Sequence, residues 1–271
     1  MRHHIITETN AEYHARESIS ASRLKLLRES PRVYESAVIL QRVKRTETPA
    51  MKIGTAIHAA ILEPKSFAGT YAVIPADCRD KRTTAYKQWA SEAAKGNWIA
   101  LTADEFDTIA SARSAVGLHP IAAKIIEAID HAEGSILYED PETGADCRFR
   151  FDGIARPIVF DIKTIAECSM EKIQRAVFDY GYHVQAAHYL TGLETIDPST
   201  QWRFMFLFVE TSEPWRVRVV ELGPSEIELG RFERSALIRD LLSRNASGDW
   251  SEPGENEVCS VSVPAYYKGL N

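Results

Sequence analysis

The fold is indicated most clearly by residues 147–164, which read C-R-F-R-F-D-G-I-A-R-P-I-V-F-D-I-K-T. Apolar residues dominate two runs, 146–155 and 158–164, and charged residues are spaced among them. Because successive side chains of a strand point to opposite faces, this pattern predicts two strands. The Arg156–Pro157 pair between the runs predicts a turn, so the two strands are expected to be neighbours in one sheet.

Two carboxylates and an ammonium group fall on this predicted pair of strands. Asp161 and Lys163 point to one face of their strand, whereas Phe160 and Ile162 point to the other. Cross-strand neighbours lie ~5 Å apart, so Asp152 on the preceding strand can converge with Asp161. Such carboxylates repel each other unless a divalent cation such as Mg²⁺ or Mn²⁺ binds them. Lys163 would then position or polarise a water, or stabilise charge on a phosphate. The alternative is a surface hairpin whose polar face merely carries charges.

The periodicity of the remaining sequence predicts the other elements. Helices are predicted at residues 20–34 (with a new turn at Pro31), 52–62, 83–95, 102–116, 120–130, 169–179, 183–192 and 224–245. Strands are predicted at residues 71–74, 135–139, 202–210 and 215–222, with a weaker one at 258–263, and residues 75–82 are predicted as a polar loop.

This order of elements predicts the fold class. A three-stranded meander, two helices, two more strands and a closing helix predict an α/β (α+β) protein with a mixed sheet flanked by helices. We expect a single domain, with an N-terminal helical part at about 1–130, a sheet core at about 131–245 and a tail at 246–271.

Composition excludes several classes of protein. A content of 45% hydrophobic residues fits a globular protein and is too high for disorder. No stretch approaches the ~20 apolar residues of a membrane span, and residues 1–10 lack the apolar core of a secretory signal, so a soluble cytoplasmic protein without membrane contact is expected. No metal-ligand spacing relates the four cysteines, which predicts free thiols and argues against an iron–sulfur cluster. These are Cys78, Cys147, Cys168 and Cys259.

Charge is distributed unevenly along the chain. The net charge is −6, yet residues 1–100 hold 16 Lys and Arg against 10 Asp and Glu, and the remainder holds 16 against 28. The asymmetry either indicates a basic surface for a polyanion or has arisen by chance. The basic candidates for contact with a nucleic-acid backbone are Arg23, Lys25, Arg28, Arg79, Lys81 and Arg82.

Two further spacings gain meaning beside the strand pair. Gly54-Thr55-Ala56-Ile57-His58 lies in a predicted helix, and Gln185 and Tyr189 lie four residues apart in another, on one helical face. Taken alone, His58 fits an ordinary helical histidine, and the Gln185–Tyr189 pair is uninformative.

Together these motifs resemble the PD-(D/E)xK nuclease superfamily, with Asp161 in place of the commoner Glu. The G-x-x-x-H and Q-x-x-x-Y spacings resemble its RecB-like branch, and within that branch the RecE-type exonucleases (exonuclease VIII nuclease domain). The resemblance extends through Y-H-A-R-E-S-I-S-A-S-R-L-K-L-L-R-E-S-P-R-V-Y, I-G-T-A-I-H-A-A-I-L-E-P, T-G-A-D-C-R-F-R-F-D, D-I-K-T, D-Y-G-Y-H-V-Q-A-A-H-Y and the late G-D-W.

The resemblance implies roles for individual residues. His58, Asp152 and Asp161 would be metal ligands together with the backbone carbonyl of Ile162, and Lys163 would orient the attacking water. Glu133 is a further candidate ligand, although a capping or surface role is the favoured alternative. Gln185 and Tyr189 would support the site. Ser20, Ser22 and Arg23 would recognise a 5′ phosphate, and Arg79 and Arg82 would contact DNA.

The resemblance also implies an activity and partners. RecE-type enzymes resect duplex DNA ends in the 5′→3′ direction with Mg²⁺, for which Mn²⁺ is expected to substitute, and leave a 3′ overhang for recombination. A RecT-like single-strand annealing protein, a ring-like homo-oligomer and a phage or prophage origin in a bacterial cell are the corresponding expectations. The alternatives are another nuclease of the superfamily (of a repair or CRISPR-adaptation type), a catalytically silent DNA-binding protein, and a metabolic metalloenzyme that hydrolyses small phosphoesters.

Overall fold

A computed structural model describes residues 5–43, 46 and 48–263. The strands in this part are β1 (Ile5–Ile6), β2 (Tyr71–Val73), β3 (Ile99–Leu101), β4 (His131–Glu139), β5 (Asp146–Ala155), β6 (Ile158–Ile165), β7 (Arg203–Glu210) and β8 (Val217–Glu221). The α-helices are α1 (Asn10–Ala15), α2 (Ala21–Glu29), α3 (Pro31–Tyr34), α4 (Pro49–Leu62), α5 (Pro64–Thr70), α6 (Thr84–Lys95), α7 (Ala103–Leu118), α8 (Pro120–Glu127), α9 (Met170–Asp179), α10 (Tyr182–Ile196) and α11 (Pro224–Ser247).

The central sheet has the strand order β1-β4-β5-β6-β7-β8. The predicted meander is present, because β4, β5 and β6 pair antiparallel in sequence order. β7 then pairs parallel with β6, and β8 pairs antiparallel with β7. The sheet is therefore mixed and mostly antiparallel, and the predicted α/β class, with a central mixed sheet flanked by helices, is confirmed.

Two hydrophobic cores cover opposite faces of the sheet. Val159 of β6 and alternate residues of β7 pack in the first core with α2, α9, α10 and α11. Phe160 and Ile162 pack in the second core with α4, α7 and α8. This alternation is the one predicted from sequence, because strand side chains alternate between faces. Asp161 and Lys163 accordingly lie on the face that α10 covers.

The β5–β6 pair separates beyond a short ladder. Pairing covers only Gly153–Ala155 with Ile158–Phe160. Asp152 and Asp161 would form the next pair, but there the Asp152 side chain accepts a 2.6 Å hydrogen bond from the Ile162 N–H. We call this opening between Asp152 and Ile162 the β5–β6 fork. Helices from both faces of the sheet reach it.

The N-terminal part is less purely helical than predicted. β1 pairs antiparallel with β4 at one edge of the central sheet, and β2 and β3 form a separate parallel pair. Strands of two or three residues are too short to show alternation, which explains why β1 and β3 were not predicted. The predicted loop at 75–82 contains one 3₁₀ turn, Ala76–Cys78.

Other boundaries differ because of local capping. Ser30 caps α3 through a hydrogen bond from the Val33 N–H, so the predicted helix at 20–34 divides into α2 and α3. Thr48 caps α4, which therefore begins at Pro49, three residues before the predicted start. The predicted strand at 258–263 is wrong: the structure shows no strand there, and Val258, Val261 and Val263 are exposed. Among the described helices, none has the length and apolarity needed to cross a bilayer.

Candidate metal centre

Asp152 lies at the centre of the fork. Its Oδ2 accepts the hydrogen bond from the Ile162 N–H at 2.6 Å and lies 3.2 Å from Nδ1 of His58. Burial disfavours the carboxylate, but His58 outweighs that effect, and the pKa of Asp152 is lowered from its usual value. Asp152 is therefore an anion held between a strand and a helix.

His58 reaches the fork because α4 approaches the sheet closely. A Cβ atom on Gly54 would lie 3.0 Å from Oγ1 of Thr164, next to Lys163 on β6, so glycine permits this spacing. His58 lies one turn later on the same helical face. Burial alone would lower the pKa of His58, but the Asp152 carboxylate raises it to about 9. Without a cation, His58 is thus a proton-carrying partner of Asp152.

Glu133 joins this pair from β4. His58, Glu133 and Asp152 each offer a ligand atom, and these three atoms lie within 4.8 Å of one another. Glu133 has a left-handed backbone with φ +53°, which is uncommon for a residue other than glycine. Burial, reinforced by Asp152, raises the pKa of Glu133 to about 7, although Arg150 lies 3.2 Å from its Oε2. Glu133 is therefore placed where its carboxylate could join a metal site, and its role as a ligand stays a prediction.

Asp161 and Lys163 form a buried ion pair beside these residues. The Lys163 Nζ lies 2.6 Å from Oδ2 of Asp161, a charge-assisted contact between two largely buried side chains. Burial and Asp152 raise the pKa of Asp161. Burial would lower the pKa of Lys163, but Asp161 outweighs it and raises that pKa. Lys163 is therefore a cation.

Gln185 and Tyr189 orient Asp161 from α10. The Tyr189 hydroxyl donates to the Arg150 carbonyl at 2.6 Å, so it offers only a lone pair to Gln185. Gln185 Nε2 donates to that hydroxyl at 3.3 Å and to Oδ1 of Asp161 at 2.5 Å. Both helical residues therefore act on the site from one helical face, and Asp161 keeps Oδ2 turned toward Lys163.

The donor set fits a divalent cation. His58, Glu133 and Asp152 bring their ligand atoms within 4.8 Å of one another, and the pKa values of Glu133 and of the neighbouring Asp161 are both raised by burial and by Asp152. Oxygen and imidazole donors suit Mg²⁺ or Mn²⁺, and a cation would relieve the repulsion. His58, Glu133 and Asp152 would hold it, with Asp161 adjacent. What the structure records for Ile162 is its N–H bond to Asp152; a carbonyl ligand there stays a prediction.

The residues predicted to contact DNA form no hydrogen bond or ion pair with the residues of the fork in the part of the chain that the structure describes. Ser20 is the buried N-cap of α2 and lies 3.0 Å from the Ser22 hydroxyl. Arg23 donates to the carbonyls of Glu17 and Ser18. Arg82 is exposed and paired with Asp80, and Arg79 is exposed. Contact of these residues with DNA stays a prediction.

Sequence reasoning missed Arg150 and Tyr182. Arg150 pairs with Glu133 through its side chain and holds Tyr189 through its carbonyl. Its place two residues before Asp152 in R-F-R-F-D was a usable signal. The Tyr182 ring lies 4.6 Å from the Lys163 Nζ, a contact between α10 and β6 that spacing alone does not reveal. The cysteines are free thiols, as predicted, with Cys259 exposed and the other three buried.

Comparison with known proteins agrees with this fold. Residues 20–261 match the family described as a PDDEXK-like domain of unknown function (DUF3799). The chain therefore belongs to this PDDEXK-like family, and the predicted membership of the PD-(D/E)xK nuclease superfamily is confirmed; the narrower RecE-type assignment is not tested by it. No curated protein matches the chain.

A solved structure shows the same fold. A crystal structure from Eubacterium rectale, provisionally named an exonuclease, aligns with a TM-score of 0.63 at 13% identity and covers 96% of this chain and 97% of that one. A second structure, of a protein named SSO0001, aligns with a TM-score of only 0.29 at 17% identity and covers 69% of this chain and 86% of that one.

Proposed function

We propose that this chain is a divalent-metal-dependent DNA exonuclease that degrades linear duplex from its ends in the 5′→3′ direction and leaves a 3′ overhang. The observation that carries the proposal is the fork, where His58, Glu133 and Asp152 lie within 4.8 Å of one another beside the Asp161–Lys163 pair. Family membership supports nuclease chemistry at this place. Mg²⁺ is the proposed cation, and Mn²⁺ is expected to substitute.

Each residue of the fork has a distinct proposed role in phosphodiester hydrolysis. A bound divalent cation supplies positive charge opposite the scissile phosphate and activates water. His58, Glu133 and Asp152 position that charge. Lys163 remains protonated, so it stabilises negative charge on the phosphate or holds the attacking water through its Nζ hydrogens, and it does not act as a base. Gln185 keeps Asp161 facing Lys163.

Two findings support an exonuclease over other nucleases. The D-I-K-T, G-x-x-x-H and Q-x-x-x-Y motifs resemble those of RecE-type enzymes, which resect ends. The structural neighbour from Eubacterium rectale carries an exonuclease name. Through the same resemblance, we propose that a single-strand annealing protein takes over the 3′ overhang in recombination.

The test compares DNA with and without ends. End-labelled linear duplex and covalently closed circles are incubated with Mg²⁺ or with EDTA. We expect loss of linear DNA only, and only with metal, with label at the 5′ end released before label at the 3′ end. Cleavage of closed circles would indicate an endonuclease, and metal-independent loss would contradict the proposed site.

Lys163→Ala tests the assignment within the fork. We expect a fall in activity of at least about 100-fold, because an electrostatic partner of the phosphate is lost. Asp161→Ala should have the same effect, and both variants should keep the circular dichroism of the wild type. Lys124→Ala, which removes an exposed lysine on α8, is the matched control. Normal digestion by either fork variant would refute the assignment.

We also propose that the chain self-associates, as expected for an enzyme that stays on DNA. The outer edge of β8 has no backbone partner among the described residues. Val258, Val261 and Val263 are exposed in the segment after α11, and such apolar side chains suit contact with an unpaired edge of a second copy. Light scattering should give a mass that is a multiple of 30.4 kDa. A monomer at micromolar concentration, with and without DNA, would contradict self-association.

A further inference from the structure

A row of cations and tyrosines leads from the fork to the protein surface. The Lys163 Nζ lies 4.6 Å from the centre of the Tyr182 ring, and the Lys25 Nζ lies 5.4 Å from the same ring. Lys25 also lies 5.2 Å from the Tyr180 ring, and the two tyrosine rings are 5.8 Å apart. Tyr180 is 54% exposed. An aromatic surface thus begins at the site and ends in solvent.

A cleft adjoins this row. It has a volume of about 510 Å³ and lies between the end of β6 and α9. Its lining includes Thr164, which directly follows Lys163, together with Lys172, Arg175 and Tyr180. A cleft of this volume accommodates one nucleotide. The exposed tyrosine ring is therefore placed at the wall of a nucleotide-sized space beside the fork.

The charges of the cleft favour a base over a bare phosphate. Glu167 and Asp179 line it as well as Lys172 and Arg175, and Arg175 is paired with Glu171 at 2.9 Å. Such balanced charge gives little attraction for an isolated anion. A base, in contrast, stacks on an aromatic ring whatever its sequence, and a nearby lysine then serves its phosphate.

We propose that the cleft binds an unpaired nucleotide of the DNA strand next to the scissile phosphate, with its base stacked on Tyr180. The ligand class is single-stranded nucleic acid, read by stacking and not by base-edge hydrogen bonds. Tyr182 is a positioning residue that holds the Lys163 ammonium at the inner end of the row. This inference rests on the proposed nuclease function, because it assigns the cleft to a strand being processed at the fork.

Binding without turnover provides the test. The full chain is titrated in EDTA, where no hydrolysis is expected, against a fluorescent single-stranded 12-mer (about twelve nucleotides, within the span of single-strand binding sites) and against an abasic oligonucleotide of the same length. Tyr180→Ala should weaken binding of the normal oligonucleotide about tenfold and leave binding of the abasic one unchanged. Tyr180→Phe, which keeps the ring, should bind as the wild type does.

Controls separate this inference from the proposed function. Phe232→Ala removes another exposed aromatic side chain, 73% exposed on α11, and should not change binding. In the nuclease assay, Tyr180→Ala should raise the KM for duplex ends about tenfold. An absence of metal-dependent hydrolysis would defeat the proposed function and leave the oligonucleotide result standing. Unchanged binding by Tyr180→Ala, an equal loss for the abasic oligonucleotide, or no binding of either oligonucleotide by the wild type would overturn the inference.

Discussion

Glu133 occupies the site although both its backbone conformation and its charge are locally unfavourable. The residue adopts a left-handed backbone and places a carboxylate beside Asp152, so two local costs coincide at one position. Arg150 compensates part of the charge. Costs of this kind persist where the surrounding structure enforces them, and here they bring a third possible ligand atom close to those of His58 and Asp152.

Glu133→Gln should separate the stability of the site from its function. At pH 8 without metal, the substitution removes a like charge from Asp152, so we expect the free energy of unfolding to rise by about 1–3 kcal/mol. The stabilisation that Mg²⁺ or Mn²⁺ adds should shrink, because one ligand is lost. Thermal melting in EDTA and in metal measures both effects. A lower melting temperature in EDTA together with undiminished metal stabilisation would show that Glu133 is no ligand.

At the scale of elements, the spacing between α4 and β6 decides whether the imidazole reaches the fork. Gly54 allows the helix to lie against Thr164, and His58 follows one turn later. A second arrangement, between β4, β5, α10 and α11, ties the helices to the sheet. There the buried His188 donates from Nε2 to the Arg148 carbonyl at 2.9 Å, and its Nδ1 accepts from Arg234 Nε at 3.2 Å.

Gly54→Ala tests the spacing of α4. The new Cβ would meet Oγ1 of Thr164 at 3.0 Å, so the helix must shift outward by a few tenths of an ångström. We expect nuclease activity to fall about 10- to 100-fold with little loss of stability, since alanine favours a helix. Thr164→Ala should restore much of the activity in the double variant and change little alone. A double variant as inactive as Gly54→Ala would contradict the steric explanation.

His188→Gln tests the buried arrangement through its pH dependence. Burial, with the Arg234 charge adding to it, lowers the pKa of His188 to about 3. The unfolded chain takes up a proton at His188 below about pH 6.5 and the folded chain does not, so the free energy of unfolding falls as pH drops. Between pH 7 and 5 the wild type should lose about 2 kcal/mol more than the variant. Equal losses in urea titrations would refute a neutral His188.

The sequence allowed prediction of helices and strands with a long apolar periodicity. It did not allow prediction of features that depend on contacts between distant residues. Phe160 and Ile162 alternate with Asp161, so the strand and its faces were predictable. The break between two helices was predicted from the glycine at 181, and the structure shows that Gly181 has a left-handed backbone there, with φ +64°. The opening of the β5–β6 ladder was not predictable, because it depends on a side chain, Asp152, taking the place of a backbone partner. The role of Tyr182 was missed because its contact with Lys163 depends on how α10 packs on β6.

At the scale of the whole molecule, the uneven charge along the chain has a structural use apart from DNA. Arg28 of α2 pairs with Glu233 of α11 at 3.1 Å, and Arg32 of α3 pairs with Glu255 at 2.7 Å. Basic N-terminal helices therefore hold the acidic C-terminal part of the chain. Part of the predicted basic surface is thus neutralised within the protein. Lys25, another of the predicted basic residues, instead contacts the Tyr180 and Tyr182 rings.

The proposed metal site lies where helices from both faces of the sheet come together, since α4 and α10 approach the fork from opposite faces. Anomalous diffraction from crystals soaked in Mn²⁺ tests this most directly. We predict a peak at about 2.0–2.4 Å from ligand atoms of His58, Glu133 and Asp152. An absence of any peak at the fork, with manganese bound elsewhere or not at all, would contradict it.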